Sequence, residues 1–395
     1  MGALDGIRVV EAGLLVQGPQ AAALLGDLGA EVVKVELPGF GDASRWLPVG
    51  PDQPISAYFV ACNRGKRSVT ADLRTEGGRR VFRRLAARAD VVITNYKPGT
   101  MDDWGLGYEV LAELNPGLVW AAGSTFGPLG ADAGREGADL SGQAAGGLIS
   151  TIGIDGGDPS PVGATIADHM AAQNLVAGIL AALVARGRTG RGQRVEVSLL
   201  GSQIWAQASE YTFYLLTGRP AGRANRANPM IAGLYGIFPT ADGWLAVVGV
   251  PGPNRDAFFH EVGLPELLDD PRFARPLLTP EHKAALFEAL TPVFRQRTTQ
   301  EWCRRLVASG QRVAPVRDHA EVIADAQAWD NGYLVVCDDG VGGTSRVVGS
   351  PIRFSDTPSQ VDPAVPELGQ HTEEVLLELG FGWDEIGALR DTGAI

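Results

Sequence analysis

The N-terminal stretch alternates strand, helix and strand, and this alternation restricts the chain more than any other feature. Residues 8–12 (RVVEA) are short and apolar, 19–28 carry helix formers with Pro19 near the first turn, Gly29 ends the helix, and 31–37 is β-rich. The pattern returns as a helix over 77–89 feeding a strand over 90–94, then a helix over 108–115 feeding a strand over 118–122. Apolar strands separated by helices predict an α/β fold with a mainly parallel sheet, helix-covered and joined by right-handed crossovers.

Residues 167–185 are helix formers or small apolar residues, followed by Gly187, Gly190 and Gly192 and a strand over 194–199. After Leu216 the chain changes: 217–229 is rich in Gly, Arg, Asn and Pro, as a linker is. The turn Ala241-Asp242-Gly243 then joins strands over 234–239 and 244–249, and helical stretches follow near 254–262, 281–295 and 299–309. Residues 333–351 read as strands, 372–379 as a helix and 383–395 as a short tail. The expected organisation is a large domain from 1–216, a linker at 217–229, a small inserted α+β domain over 230–325, and a return to the large domain over 326–395.

Lys and Arg number 34 against 46 Asp and Glu, a net charge of −12, which disfavours nucleic acid or an anionic membrane surface as the main partner. Cys62, Cys303 and Cys337 are odd in number and far apart, suggesting neither a disulfide framework nor a metal cluster. Residues 1–10 lack the features of a signal peptide, and the most apolar run, 175–185, is shorter than the ~20 residues a bilayer requires. A soluble, cytoplasmic protein is the expectation.

The first strand-to-helix turn lacks the GxGxxG spacing, and the chain has no GxxxxGK[ST] loop, HExxH helix or GxSxG elbow. Dinucleotide binding, nucleotide hydrolysis, zinc hydrolysis and serine hydrolysis therefore lose their usual signals. Asp168 stands out because it opens the long apolar helix, where the dipole and unpaired N–H groups favour a carboxylate able to attack a carbonyl. The same spacing fits a helix N-cap. His169 fits a packed or exposed histidine better than a base. Asn63-Arg64-Gly65-Lys66-Arg67-Ser68, with Arg74 beyond it, is either a phosphate-holding loop or a solvated turn. Asn95-Tyr96-Lys97-Pro98-Gly99 lies at a strand's carboxyl end, where open α/β sheets bind ligands and where ordinary turns also occur.

The segments LDGIRVVEAG, GDLGAEVVKVELPGFGD, NRGKRSVTADLR, ADVVITNYKPGTMDDWGLGYEVLAELNP, RGRTGRGQRVEVSLL, YGIFPTADGW and LGQHTEEVLLELGF occur in order along nearly the whole chain. In these segments the sequence resembles the family III (CaiB/BaiF) CoA-transferases, a family that also contains α-methylacyl-CoA racemases. The resemblance implies a Rossmann-like large domain built from both ends of the chain and an interlocked-ring homodimer. Coenzyme A and acyl-CoA are implied as substrates with a carboxylic acid, and neither a metal nor nucleotide hydrolysis is required.

By the same resemblance Asp168 is the nucleophile. Gln17 and Gly18 lie near the thioester, Ala71, Asp72, Leu73 and Arg74 with Asn95, Tyr96 and Lys97 line the adenine and phosphate end, and Arg135 lies near the phosphates. Asp139 belongs to the substrate-binding set. Oxyanion donors are expected from the start of the long helix and from the loop containing Gly249 and Gly252. Leu37 and Asp103 stand where some transferases carry phosphate-binding arginines, and Lys97, Arg64 or Arg67 are candidates to compensate. A racemase needs a second acid/base partner. Ala138 replaces the histidine of the racemases' GHD-like segment, and their further glutamate falls near Val250 or Pro251, so transferase is preferred over racemase or a non-catalytic CoA-ester binder. Trp205, Tyr211, Phe213 and Tyr214 either line a site or, as the preferred reading, pack a helix.

Overall fold

The structure is a computed structural model, described here for residues 1–47, 56–250, 254–275, 277–338 and 343–395. It divides into two compact units, residues 1–146, 163–206 and 325–395 forming one and 147–162 with 207–324 the other. Segments 147–162 and 207–216, expected in the large domain, thus cluster with the smaller unit, as does the expected linker at 217–229.

In the first unit, β1 (Arg8–Ala12), β2 (Glu31–Glu36), β3 (Arg67–Thr70), β4 (Val91–Thr94), β5 (Val119–Ser124) and β6 (Arg194–Ser198) form one parallel sheet in the order β3-β2-β1-β4-β5-β6. The strands are apolar on both faces because both faces are covered. Val9, Val91, Ile93 and Val119 meet Leu24, Leu25, Leu175 and Ile179 on one side, whereas Val10, Val92 and Trp120 meet Val81, Phe82, Leu111 and Leu376 on the other. The two-residue period of a strand delivers that split, and each large side chain so buried contributes about 1.5–3 kcal/mol. Strand order reverses between β1 and β4, so their carboxyl ends flank the crevice where this topology binds ligands.

The long helix covers Ile166–Thr189, 24 residues, further than the expected 167–185, and ends at Gly190 with φ 71°. By length and composition it is apolar enough to cross a bilayer, contrary to the expectation from the 175–185 run. Its Ala171, Ala172, Leu175, Val176 and Ile179 are nevertheless buried in this unit, packed against the helix Gln17–Asp27 and strands β5 and β6. The C-terminal segment covers the β3 edge: the His371 N–H donates to Ser68 O (2.9 Å) and the Thr70 N–H to Thr372 Oγ1 (3.0 Å). The expected tail is a helix, Trp383–Asp391, whose Ile386 and Leu389 join the core.

In the second unit β7 (Tyr235–Pro239), β8 (Trp244–Val248) and β9 (Val313–Pro315) form an antiparallel sheet. Phe238, Phe258, Phe294 and Trp302 build its core with the helices Arg255–Val262, Pro280–Phe294 and Thr299–Ala308. A third, two-stranded sheet pairs β10 (Leu334–Asp338) with β11 (Thr344–Val348).

Candidate active site

The long helix begins against the short helix Asp139–Ala145, and small residues make the approach possible. A Cβ on Gly142 would stand 2.9 Å from the Ala167 Cβ and 2.7 Å from the Leu199 Cβ, closer than carbon atoms pack. This proximity brings Asp139 to the helix start: its Oδ1 accepts the N–H of Ala167 (2.7 Å) and of Asp168 (3.2 Å). Gln143 Nε2 in turn donates to Asp139 Oδ2 (2.6 Å) and to Ala164 O (3.2 Å). Asp168 sits in the first turn, three residues after the cap position Thr165, so it is not the cap.

Two expectations change here. The first four amide hydrogens of the helix are all engaged, Ile166 with Ala164 O (2.8 Å), Ala167 and Asp168 with Asp139, and His169 with Thr165 O (3.1 Å). The helix start therefore offers no oxyanion donors. Nor does it hold Asp168 strongly ionised: burial first, and the Asp139 charge second, push its carboxyl up to about 7. A carboxylate so raised is basic for its kind and half-ionised near neutrality. His169 is exposed.

At the crevice, Gln17 opens the helix Gln17–Asp27 and is buried, its Nε2 donating to Ser124 O (3.4 Å) at the end of β5. The absence of a side chain on Gly123 makes room for that amide, since a Cβ would lie 2.4 Å from Gln17 Oε1 and displace it. Asn95 accepts the Leu14 N–H (2.7 Å) and donates to Leu14 O (2.8 Å), and Gly18 lies against the same Asn95. Tyr96 is half-buried edge-on to Trp104, ring centroids 5.3 Å apart, and burial pushes its hydroxyl up to about 12. Lys97 is exposed. A cavity of about 240 Å³ opens beside them, lined by Tyr96, Lys97, Tyr108, Trp120, Ser124 and Glu196. A larger cavity, about 360 Å³, lies near Arg8 and Glu31 at the amino ends of the strands, away from the crevice.

The basic loop is neither solvated nor available to phosphate. Arg64 pairs with Asp27 through two bonds (2.6 and 2.9 Å), and Arg67 meets Glu31, Glu374 and Glu378. Lys66 is buried and donates to Glu11, Asn63 and Pro19 O, each at 2.9 Å. Beside it the buried Lys34 ammonium meets Glu11 (3.0 Å), Asp42 (2.8 Å) and Gly13 O (3.0 Å). Burial opposes the Lys34 charge, but Glu11, Asp42 and Glu36 outweigh it and raise its pKa; for Lys66 burial prevails and lowers it. Of the three candidates to replace the missing arginines, Lys97 alone stays exposed.

Elsewhere, Ala71 and Leu73 are buried in the core, and Arg74 is exposed but holds Asp72 through Nε and Nη2 (2.8 Å each). Arg135 lies on an exposed loop beside Asp132 (3.1 Å) and over the Phe126 ring. Leu37 is half-buried and Asp103 exposed. In the second unit Gly249 follows β8 with φ 61°; Pro251 and Gly252 lie outside the described residues. Trp205 and Tyr214 are 70% and 52% exposed, so the expected helix packing is not found for them. Among the described residues no group of three or more His, Cys, Asp or Glu side chains is arranged to hold a metal. Two parts of the site escaped sequence reasoning. Gln143 had a signal in its i, i+4 spacing from Asp139, and Glu11 had one as a lone charge inside an apolar strand.

Comparison with known proteins agrees with this architecture. The chain is 35% identical to the succinate–glutarate CoA-transferase of Agrobacterium fabrum, covering 95% of each, and 33% identical to the succinyl-CoA–D-citramalate CoA-transferase of Chloroflexus aurantiacus, covering 98% of this chain and 96% of that one. The crystal structure of a CaiB/BaiF family protein from Brucella suis superposes with a TM-score of 0.85 at 35% identity, covering 96% of this chain and all of that one. The model of CoA-transferase family III matches residues 4–372, and the chain accordingly belongs to that family and is a CoA-transferase.

Proposed function

We propose that the enzyme moves CoA between carboxylic acids with Asp168 as its covalent nucleophile, and that its acids are short dicarboxylates. The observation that carries the mechanism is Asp168 itself, a carboxylate partly withdrawn from water in the first turn of the long helix, where burial and then the Asp139 charge push its carboxyl up to about 7. The Asp168 carboxylate attacks the thioester carbon of the acyl-CoA, the C–S bond breaks, and CoA leaves as thiolate from a mixed anhydride. The thiolate attacks the Asp168 carbonyl carbon, expelling the first carboxylate and leaving an aspartyl-CoA thioester. A second carboxylate attacks that thioester and releases the thiolate, which then takes the new acyl group from the anhydride and restores Asp168. Each exchange conserves the thioester's energy, so no nucleotide is consumed.

Since the amides at the start of the long helix are engaged, the oxyanion donors come from other groups. Tyr96 and Lys97 at the end of β4 are assigned to the CoA end, with Gln17 and Gly18 nearer the thioester. The names of the Agrobacterium and Chloroflexus relatives support dicarboxylate substrates. Trp205, Leu215 and Leu216, each at least 70% exposed, support a homodimer, for which we propose the interlocked form. A cytoplasmic location fits three free cysteines. Incubation with succinyl-CoA and a panel of acids, read by mass spectrometry, tests the activity: new acyl-CoA from a dicarboxylate supports it, and hydrolysis alone contradicts it.

A further inference from the structure

We propose that Asp139 is a positioning residue for the nucleophile: it fixes the start of the long helix and keeps a negative charge beside Asp168 that is relieved when Asp168 is acylated. The geometry has two parts. One Asp139 oxygen caps the Ala167 and Asp168 amides, and Gln143 holds the other, so the carboxylate is oriented from both ends. Capping also removes the donors that would otherwise solvate an Asp168 anion.

The consequence is differential. With Asp168 ionised, two carboxylates share one partly dry helix terminus; with Asp168 converted to an anhydride or thioester, only the Asp139 charge remains. Repulsion therefore raises the free enzyme and spares the covalent forms, which is how a fixed charge favours a step rather than mere binding. Asp139 is the one charge that acts on Asp168 among the described residues. On the other elements packed against the long helix, Asp27 is paired with Arg64 and Glu196 lies near Arg194, while Gln17, Ser202 and Gln203 are neutral. His169, next along the helix, has an exposed surface but also feels the Asp139 charge, and partial burial, the larger effect, lowers its pKa below the usual 6.5.

The proposal rests on Asp168 being the nucleophile, and the test separates the two ideas. Asp139→Asn keeps an oxygen for the amides and removes the charge. In ligand-free protein labelled with carboxyl-¹³C aspartate, the Asp168 resonance, assigned by its loss in Asp168→Asn, is expected to titrate near pH 7. In Asp139→Asn its midpoint should fall by at least one unit. The acid limb of kcat/KM for succinyl-CoA should move with it, and the fraction of Asp168 trapped by hydroxylamine at saturating succinyl-CoA should fall several-fold. Coincident titrations and pH profiles in the two proteins would overturn the proposal. So would a wild-type Asp168 midpoint below 5, a measurement that needs no variant to fold. Failure to trap Asp168 in an active wild-type enzyme would instead reject the nucleophile and leave the titration result standing.

Discussion

Asn95 grips Leu14 at both its N–H and its carbonyl, tying the end of β4 to the loop that leaves β1. The next residue, Leu15, takes the left-handed conformation at φ 63°, and Asp42 Oδ1 holds its N–H at 3.0 Å. A branched side chain enters that region only when its surroundings force it. The crevice is thus a clamped loop.

Asn95→Ala should leave both Leu14 backbone groups without their partner and let the loop relax. A loss of about 1–3 kcal/mol in stability is expected, together with a fall in kcat/KM for acyl-CoA. Urea denaturation and steady-state kinetics check it; unchanged values in both would show that the clamp is idle.

Asp168 makes stability depend on pH in a direction unusual for an aspartate. Its folded pKa, about 7, lies above its ordinary 3.8, so the folded form loses stability as pH rises from about 4 through 7. Asp168→Asn should therefore be more stable than the native protein at pH 8, by up to ~4 kcal/mol at 1.36 kcal/mol per unit, and no more stable near pH 4. Thermal melts at the two pH values decide. Catalysis should run the opposite way, kcat/KM falling below about pH 7 as the nucleophile is protonated.

Glu11 accepts both buried ammonium groups, Lys34 and Lys66, and the Gly13 N–H. Replacing it with Gln leaves the buried Lys66 with only the neutral Asn63 and Pro19 O and reduces Lys34 to Asp42 as its carboxylate partner. A loss of about 3–5 kcal/mol is expected by chemical denaturation, far more than a surface ion pair provides.

Lys97 and Arg64 look alike in sequence and should behave differently. Lys97→Ala is expected to raise KM for acyl-CoA about tenfold, the equivalent of one charge-assisted hydrogen bond, and to spare a pantetheine ester lacking the nucleotide phosphates. Arg64→Ala should lower the melting temperature by stranding Asp27 without discriminating between the two esters.

Much of the first unit was legible because its signals are local. The apolar runs of β1, β2 and β4 and the glycines Gly29 and Gly190 that follow their helices mark elements without reference to the rest of the chain. The helix Trp383–Asp391 was passed over although Glu385 stands three residues after Gly382 and accepts its N–H (3.1 Å), a spacing that announces a helix start. What composition hides is pairing. Arg64 and Lys66 read as a basic loop because Asp27 and Glu11 lie 37 and 55 residues away. Asp139 could be assigned to the site by resemblance, but its hold on the Asp168 amide, 29 residues on, exists only once two helices meet over Gly142.

The covalent intermediate is the most direct test of the account. Adding succinyl-CoA and then hydroxylamine to the wild-type enzyme should place a hydroxamate on the peptide containing Asp168, only when the thioester is present and never in Asp168→Ala. Full turnover with no adduct on that peptide, accompanied by solvent deuterium at the substrate α-carbon, would contradict it and point to proton transfer instead.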